Sequence, residues 1–169
     1  MSIKLIIIDV DGTLTDGTVL YGDSNLEIKA FSIKDGAIIK PLSSLGVKVL
    51  FLTGRTSEAV SRRADDLGVF AIQGVDNKER CLNNLFTEYN VKPEQCAYIG
   101  DDLNDYIAMK LCGFRACPAD AAESIRDICD YISPFTGGKG AVRDICEHIL
   151  IKEGKYNEFL AVYGVVLRG

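Results

Sequence analysis

Two aspartates one residue apart, Asp9-Val10-Asp11, close the apolar run that starts at Lys4 and are followed at once by Gly12 and Thr13. Carboxylates so spaced suit two tasks. They can hold a hard cation through oxygen, and one can attack an electrophilic centre while the other moves protons. Polar residues of complementary type follow two further apolar runs: Thr53-Gly54-Arg55 after Val47 to Leu52, and Gly100-Asp101-Asp102, with Asn104 and Asp105 close behind, after Ala97 to Ile99. Lys78 opens the helical stretch after a third run, Val69 to Ile72. Asp9 and Asp11 plus Asp101 make an oxygen site suited to Mg²⁺, and Lys78 adds a cation that offsets anion–anion repulsion. In such a site Asp9 can attack phosphorus, Asp11 is positioned to protonate the leaving alcohol and then activate water, and Thr53 can hold a phosphoryl oxygen through its hydroxyl and its N–H at a helix start. Each piece alone has an ordinary reading. DxDG is also a turn, Thr53 an N-cap, Asp101-Asp102 a helix-dipole partner and Lys78 a solvated charge. Their joint occurrence at successive predicted strand ends carries the chemical reading.

Such residues meet only if the apolar runs are parallel strands, because ligands of an open α/β sheet bind at the carboxyl ends of its strands. The runs Lys4–Asp9, Val47–Leu52, Val69–Ile72, Ala97–Ile99, Phe114–Cys117 and Tyr131–Ile132 lack alternation, as expected of strands buried on both faces. Helical periodicity fills the intervals 35–45, 57–66, 77–90, 103–111, 121–128 and 140–152. The pattern predicts an α/β fold of three layers, a Rossmann-like parallel sheet with helices on both faces. One segment departs from it: Thr18–Tyr21 and Glu27–Ser32, around Gly22-Asp23-Ser24-Asn25, predict a β-hairpin over 18–32. We expect one domain over 1–153 and a C-terminal tail over 154–169. The apolar residues of that tail (Phe159, Leu160, Val162, Val165, Val166, Leu167) have no evident partner element, so it either docks on another subunit or a pocket, or packs as a plain arm.

Composition narrows the partner. The 169 residues are 47% hydrophobic, enough for a single core, and carry a formal net charge of -5. That balance argues against nucleic acid and against an anionic membrane surface, leaving a small molecule. Six scattered cysteines without a CxxC pair, and one histidine, His148, fit neither a zinc cluster nor a redox motif. The N-terminal apolar run is too short for a signal peptide or a span, so a cytoplasmic protein is expected.

These residues resemble the haloacid-dehalogenase phosphatases. Asp9-Val10-Asp11-Gly12-Thr13-Leu14-Thr15 is similar to their first motif, Thr53-Gly54-Arg55 to the second, Lys78 to the third and Gly100-Asp101-Asp102-Leu103-Asn104-Asp105 to the fourth. Thr15-Asp16-Gly17, the hairpin, Phe31-Ser32-Ile33-Lys34-Asp35-Gly36, Arg62-Arg63-Ala64-Asp65-Asp66-Leu67-Gly68 and Gly137-Gly138-Lys139-Gly140-Ala141-Val142-Arg143 resemble the small capless branch that includes phosphatases of 3-deoxy-D-manno-octulosonate 8-phosphate. The resemblance implies Asp9 as nucleophile and Asp11 as general acid/base, with Thr53 and Lys78 beside them. It implies Mg²⁺ held by Asp9, the Asp11 carbonyl and Asp101, with Asp102 and Asp105 in support. Substrate contacts implied are Asp11, Ser32, Ile33, Lys34, Asp35, Gly36, Gly54, Arg55, Arg63 and Lys78. The substrate class is a sugar-acid phosphate, the assembly a homotetramer in which hairpins pack together. On a regular helix Arg62, not Arg63, shares a face with Arg55, so geometry and resemblance point to different arginines.

Three alternatives stay open. Arg55 favours the eight-carbon sugar acid, whereas Phe159-Leu160-Ala161-Val162 resembles the ending of relatives acting on nine-carbon 9-phosphates. Receiver domains also gather aspartates, Thr and Lys, but their phosphorylated Asp lies on a middle strand. A weakly active oligomerisation module is the third alternative; a chain with little sequence outside its first strand and last helix favours a free-standing enzyme.

Overall fold

The protein is described here from a computed structural model, covering residues 2–23 and 26–165. Strand β1 (Leu5–Ile8) lies in the middle of a six-stranded sheet with β4 (Lys48–Leu52), β5 (Phe70–Ile72), β6 (Cys96–Ile99), β7 (Phe114–Cys117) and β8 (Tyr131–Ile132), in the spatial order β5-β4-β1-β6-β7-β8. Every neighbouring pair is parallel, with Leu5 opposite Lys48 on one side and Cys96 on the other. The chain winds outward from β1 through β4 to β5, then returns to β6 and winds the other way. That reversal opens a crevice at the carboxyl ends of β1 and β6.

Helices α1 (Ile33–Ser44), α2 (Glu58–Leu67), α6 (Ala141–Lys152) and α7 (Tyr156–Val162) cover one face, and α3 (Lys78–Glu88), α4 (Tyr106–Leu111) and α5 (Glu123–Arg126) the other. Alternate β1 side chains feed the two cores: Ile6 and Ile8 pack beneath α1 and α6, Leu5 and Ile7 beneath α3 and α4. All four are fully buried. Each contributes roughly 1.5–3 kcal/mol of transfer free energy, which is why the run shows no alternation.

The hairpin forms a shorter ladder than its apolar runs suggest, β2 (Leu20–Tyr21) against β3 (Glu27–Ile28). Ser32, expected at the end of its second strand, is instead the N-cap of α1, its hydroxyl accepting the Asp35 N–H at 3.2 Å. Ser24 and Asn25 of the turn lie outside the described residues, as do Val166 and Leu167 of the tail. Helix α7 of that tail packs on its own domain through Phe159 and Leu160, while Val162 and Val165 stay about half exposed. Phe159 of α7 is completely buried in the α1/α6 core, and the Tyr163 hydroxyl donates to the Ala37 carbonyl at 2.6 Å. Ala37 is the residue whose carbonyl lacks an intrahelical donor, because Pro41 stands four positions on in α1 without an N–H. No helix of the described residues is long and apolar enough to cross a membrane, and all six cysteines are free thiols.

Candidate active site

Asp9 is delivered by β1, its N–H donating to the Ile99 carbonyl at 2.9 Å. The chain then tightens into a turn over Val10–Leu14 in which Gly12 takes φ +94°. Glycine is required there twice over: the angle disfavours any Cβ, and a Cβ would fall 2.0 Å from Asp101 Oδ2. The Gly137-Gly138 loop clamps the turn from above, with the Gly138 N–H on the Thr13 carbonyl at 3.0 Å. A Cβ on Gly137 would meet the Gly12 carbonyl at 1.8 Å, so only glycine permits the clamp to close.

The turn splits the two aspartates. Asp9, 4% exposed, accepts the Lys78 ammonium on Oδ1 at 2.5 Å, and the same ammonium donates to Asp105 Oδ1 at 2.7 Å. Lys78 stands at the first position of α3, behind an Asn77 side chain that caps the helix through the Arg80 N–H. Asp105 is fully buried and also accepts the Tyr98 hydroxyl at 2.6 Å and the Asp101 N–H at 3.3 Å. Asp101 in turn accepts the Thr13 hydroxyl at 2.8 Å. Asp9, Asp101 and Asp105 each present a carboxylate oxygen within 4.8 Å of the others.

This is a concentration of negative charge in a dry site, and the acidities respond. Burial, then the Asp105 charge, push Asp9 well above the usual carboxylate range against the pull of Lys78. Burial chiefly, with Asp105 and Asp102 adding to it, lifts Asp101 to about 6 despite the Thr13 hydroxyl. Burial alone would lower Lys78, but the charges of Asp9 and Asp105 prevail and its ammonium is held charged, above the usual lysine range. Oxygen donors with uncompensated charge are what a hard divalent cation requires, and the residues present fit Mg²⁺.

Asp11 turns the other way. One oxygen accepts the ammonium of Lys29, the other lies 3.9 Å from Arg55 Nε. Arg55 is held by the Tyr21 hydroxyl at 2.8 Å and Glu27 Oε2 at 3.1 Å, both on the hairpin. Glu27, whose Oε1 is buried, and the buried Ser57 beside them complete a polar patch between hairpin and α2.

Several predicted site residues occupy other positions. The N–H of Thr53 donates to Ile72, and α2 begins only at Glu58, so Thr53 is not at a helix start; its buried hydroxyl accepts the Arg55 N–H at 3.3 Å. Gly54, beside it, leaves a side-chain-free approach whose nearest neighbour is the Val75 carbonyl. Asp35 is 1% exposed and caps α6, accepting the Gly140 and Arg143 N–H groups at 3.0 and 2.9 Å. Arg63 crosses Gly36 to reach the Ser32 carbonyl at 2.9 Å, while Arg62 stays in solvent with Glu58. Asp102 is exposed and accepts the Leu103 N–H at 2.7 Å, apart from the buried carboxylates. Ile33 is 76% exposed at the start of α1. Ser32 and Lys34, with Asp16, Phe31, Gly138 and Lys139, line a cavity of about 340 Å³ against the turn. A larger cavity, about 700 Å³, lies at the amino ends of the strands around Ile3, Phe114 and Ile149 and holds none of these groups.

Sequence reasoning missed Lys29 and Tyr98. A signal existed for both: Glu27 and Lys29 alternate with Ile28, and Tyr98 brings the one hydroxyl into the apolar run of β6.

Comparison with known proteins sets this geometry among phosphatases. Residues 32–113 match the family model of haloacid dehalogenase-like hydrolases. The chain is 37% identical over 158 residues to the 3-deoxy-D-manno-octulosonate 8-phosphate phosphatase of Escherichia coli (strain K12), covering 93% of this chain and 84% of that one. Among solved structures, it resembles the phosphatase of that name from Moraxella catarrhalis, in complex with magnesium ion, phosphate ion and KDO, with a TM-score of 0.91, 41% identity and coverage of 95% and 93%. The cobalt-bound form of the Haemophilus influenzae phosphatase is similar at a TM-score of 0.90 and 38% identity, covering 96% of each chain.

Proposed function

The chain belongs to the haloacid dehalogenase-like hydrolases, in the family of 3-deoxy-D-manno-octulosonate 8-phosphate phosphatases, and on that premise we propose that it hydrolyses this eight-carbon sugar-acid phosphate with Mg²⁺. The observation that carries the reading is the buried carboxylate at the end of β1, tied by Lys78 to Asp105 and ringed by Asp101. Asp9 and Asp101 would hold the ion together with the Asp11 carbonyl, and Asp105 supports them. Bound there, Mg²⁺ supplies charge stabilisation at the phosphoryl oxygens.

The chain's own residues supply the rest. Lys78 fixes Asp9 Oδ1, leaving Oδ2 as the attacking atom. A bond forms from that oxygen to phosphorus as the bond to the sugar oxygen breaks, and Asp11 gives its proton to the departing oxygen. Water then attacks the aspartyl-phosphate, Asp11 takes a proton from it, and phosphate leaves with the Asp9 carboxylate restored. The Thr53 hydroxyl and the open approach beside Gly54 accommodate the phosphoryl oxygens. Arg55, whose planar fork suits a carboxylate, and Lys34 at the cavity recognise the sugar acid. Asp35 and Arg63 act behind the surface, fixing the segment Ser32–Gly36.

A homotetramer built on the hairpin is supported by its exposed apolar side chains, Leu20, Tyr21, Leu26 and Ile28, which are 46–70% exposed. Free thiols, four of them buried, support a reducing cytoplasm. The test is phosphate release with Mg²⁺ from octulosonate 8-phosphate, nine-carbon 9-phosphates and hexose phosphates, against Asp9→Asn. Preference for the eight-carbon ester that vanishes in the variant supports the assignment. A nine-carbon preference moves it to sialic-acid-type substrates, and absence of Asp9-dependent release from every ester overturns the enzymatic reading. Light scattering of the eluted protein measures the assembly.

A further inference from the structure

We propose that Lys29 is a positioning residue for proton transfer, fixing Asp11 so that its second carboxyl oxygen, Oδ2, carries the proton delivered to the leaving group. This rests on the phosphatase reading above and concerns the same site.

The side chain of Lys29 is completely shielded from solvent, an unusual place for an ammonium unless its partners need it there. Those partners are Asp11 Oδ1, which accepts its hydrogen bond, and Glu27 Oε1 at 3.5 Å. The hairpin's alternation sends Glu27 and Lys29 inward while Ile28, between them, is 46% exposed. An ammonium only donates. The Asp11 oxygen facing Lys29 is therefore committed as an acceptor, and the carboxylic acid that takes part in catalysis must carry its proton on the other oxygen. That atom, Oδ2, is buried and has no hydrogen-bond partner among the described residues. A buried polar atom without a partner normally costs stability, and here it faces Arg55 Nε at 3.9 Å. Arg55, whose side chain is half-exposed, lies over that position and must turn aside for a departing sugar oxygen, and later a water, to complete the bonding.

The chemistry follows without any further group. Oδ2 releases its proton to the sugar oxygen as the bond from Asp9 to phosphorus forms. It regains one from water as that bond breaks. Lys29 keeps its own proton throughout and holds the carboxyl in one rotamer for both transfers. Glu27 holds Lys29 on one side and Arg55 on the other, so the hairpin sets the orientation of acid and guanidinium together.

A proton donor matters only when the leaving group needs one, which supplies the test. Single-turnover phosphoryl transfer is measured for wild type, Lys29→Met and Lys29→Gln on octulosonate 8-phosphate, whose alkoxide is a poor leaving group, and on 4-nitrophenyl phosphate, whose phenolate leaves unprotonated. General acid catalysis contributes about 10²–10⁴-fold, so we expect a loss of at least about tenfold on the sugar ester beyond any loss on the aryl ester. Lys29→Arg, which keeps a donor-only cation, should recover part of that difference. Melting transitions identify which variants fold. Equal losses on both esters in a folded variant, or no loss on either, overturn the proposal while leaving the phosphatase reading intact. Failure of both neutral variants to fold, with Lys29→Arg equally impaired on both esters, makes Lys29 a structural anchor and overturns it too. A wild-type chain inactive on both esters removes the phosphatase reading and this role with it.

Discussion

Replacing Lys78 by methionine removes one positive charge from between two buried carboxylates while keeping the length of the side chain. Lys78 is 5% exposed and its ammonium touches both Asp9 and Asp105. Removing one partner of a buried charge pair usually costs about 3–5 kcal/mol, because the remaining charge is left desolvated. Asp9 limits that cost by keeping a proton, since its acidity is already weakened by burial. We therefore expect the low end, about 3 kcal/mol, which for a chain of this size lowers the metal-free melting temperature by about 6–12 °C. Mg²⁺ binding should move in the opposite direction. At a pH high enough to ionise Asp9, a site without the competing ammonium attracts a divalent ion better, so affinity there tightens by on the order of tenfold. Turnover should nevertheless fall by about 10²–10³-fold, the loss typical of a charged donor aimed at the reacting group. Calorimetric titration with Mg²⁺, melting with and without the ion, and phosphate release measure the three quantities separately. A variant that loses Mg²⁺ binding together with activity would refute the reasoning, because Lys78 would then be organising the carboxylates and not balancing them. So would a metal-free variant melting within about 1 °C of wild type.

Acidity gives a second expectation. Asp101 holds its proton up to about 6 when folded without metal, against an ordinary value of 3.8. The folded state therefore binds the extra proton, and this stabilisation is fully present below the ordinary value and lost as pH rises through about 6, a change of order 3 kcal/mol. Metal-free melting should accordingly include a contribution that falls across that window, and Mg²⁺ affinity should weaken as pH drops through it, because the ligand must be ionised. Melting and titration across the window, repeated in Asp101→Asn, check both. The two neighbouring arginines separate by alanine substitution and thermal melting. Arg62→Ala should change stability by less than about 0.5 kcal/mol, its partner being fully in solvent, while Arg63→Ala should cost about 1–2 kcal/mol through the Ser32 carbonyl and lost packing. Tyr163→Phe should cost about 0.5–1 kcal/mol, and less in a Pro41→Ala background where α1 regains its own donor to Ala37. A double-mutant cycle read by denaturant unfolding measures the difference.

The chain itself determined the architecture and the order of the site. Strands buried on both faces must be apolar throughout, so β1, β4 and β6 stand out as runs, and the first polar residue after each marks a carboxyl end where a crevice forms. Asp9 and Asp101 stood out for that reason, and Lys78 as the residue that opens the helix after β5. What each polar atom touches was decided by tertiary contacts between residues far apart in the chain. Asp35 accepts from the Gly140 N-cap of α6, 105 residues later, Lys78 reaches back 69 residues to Asp9, and Tyr163 answers a carbonyl freed by Pro41 from a distance of 126 residues. Helical spacing from Arg55 favours Arg62, but α2 begins only at Glu58, and the gap left at Gly36 lets Arg63 cross to Ser32 instead. Lys29 left only the trace of its alternation with Ile28: a lysine in a short hairpin is ordinarily solvated, and only folding the hairpin over the first turn buries it against Asp11. Burial patterns are properties of a segment and survive in the sequence, whereas the partner of a buried charge depends on which segments the fold brings together.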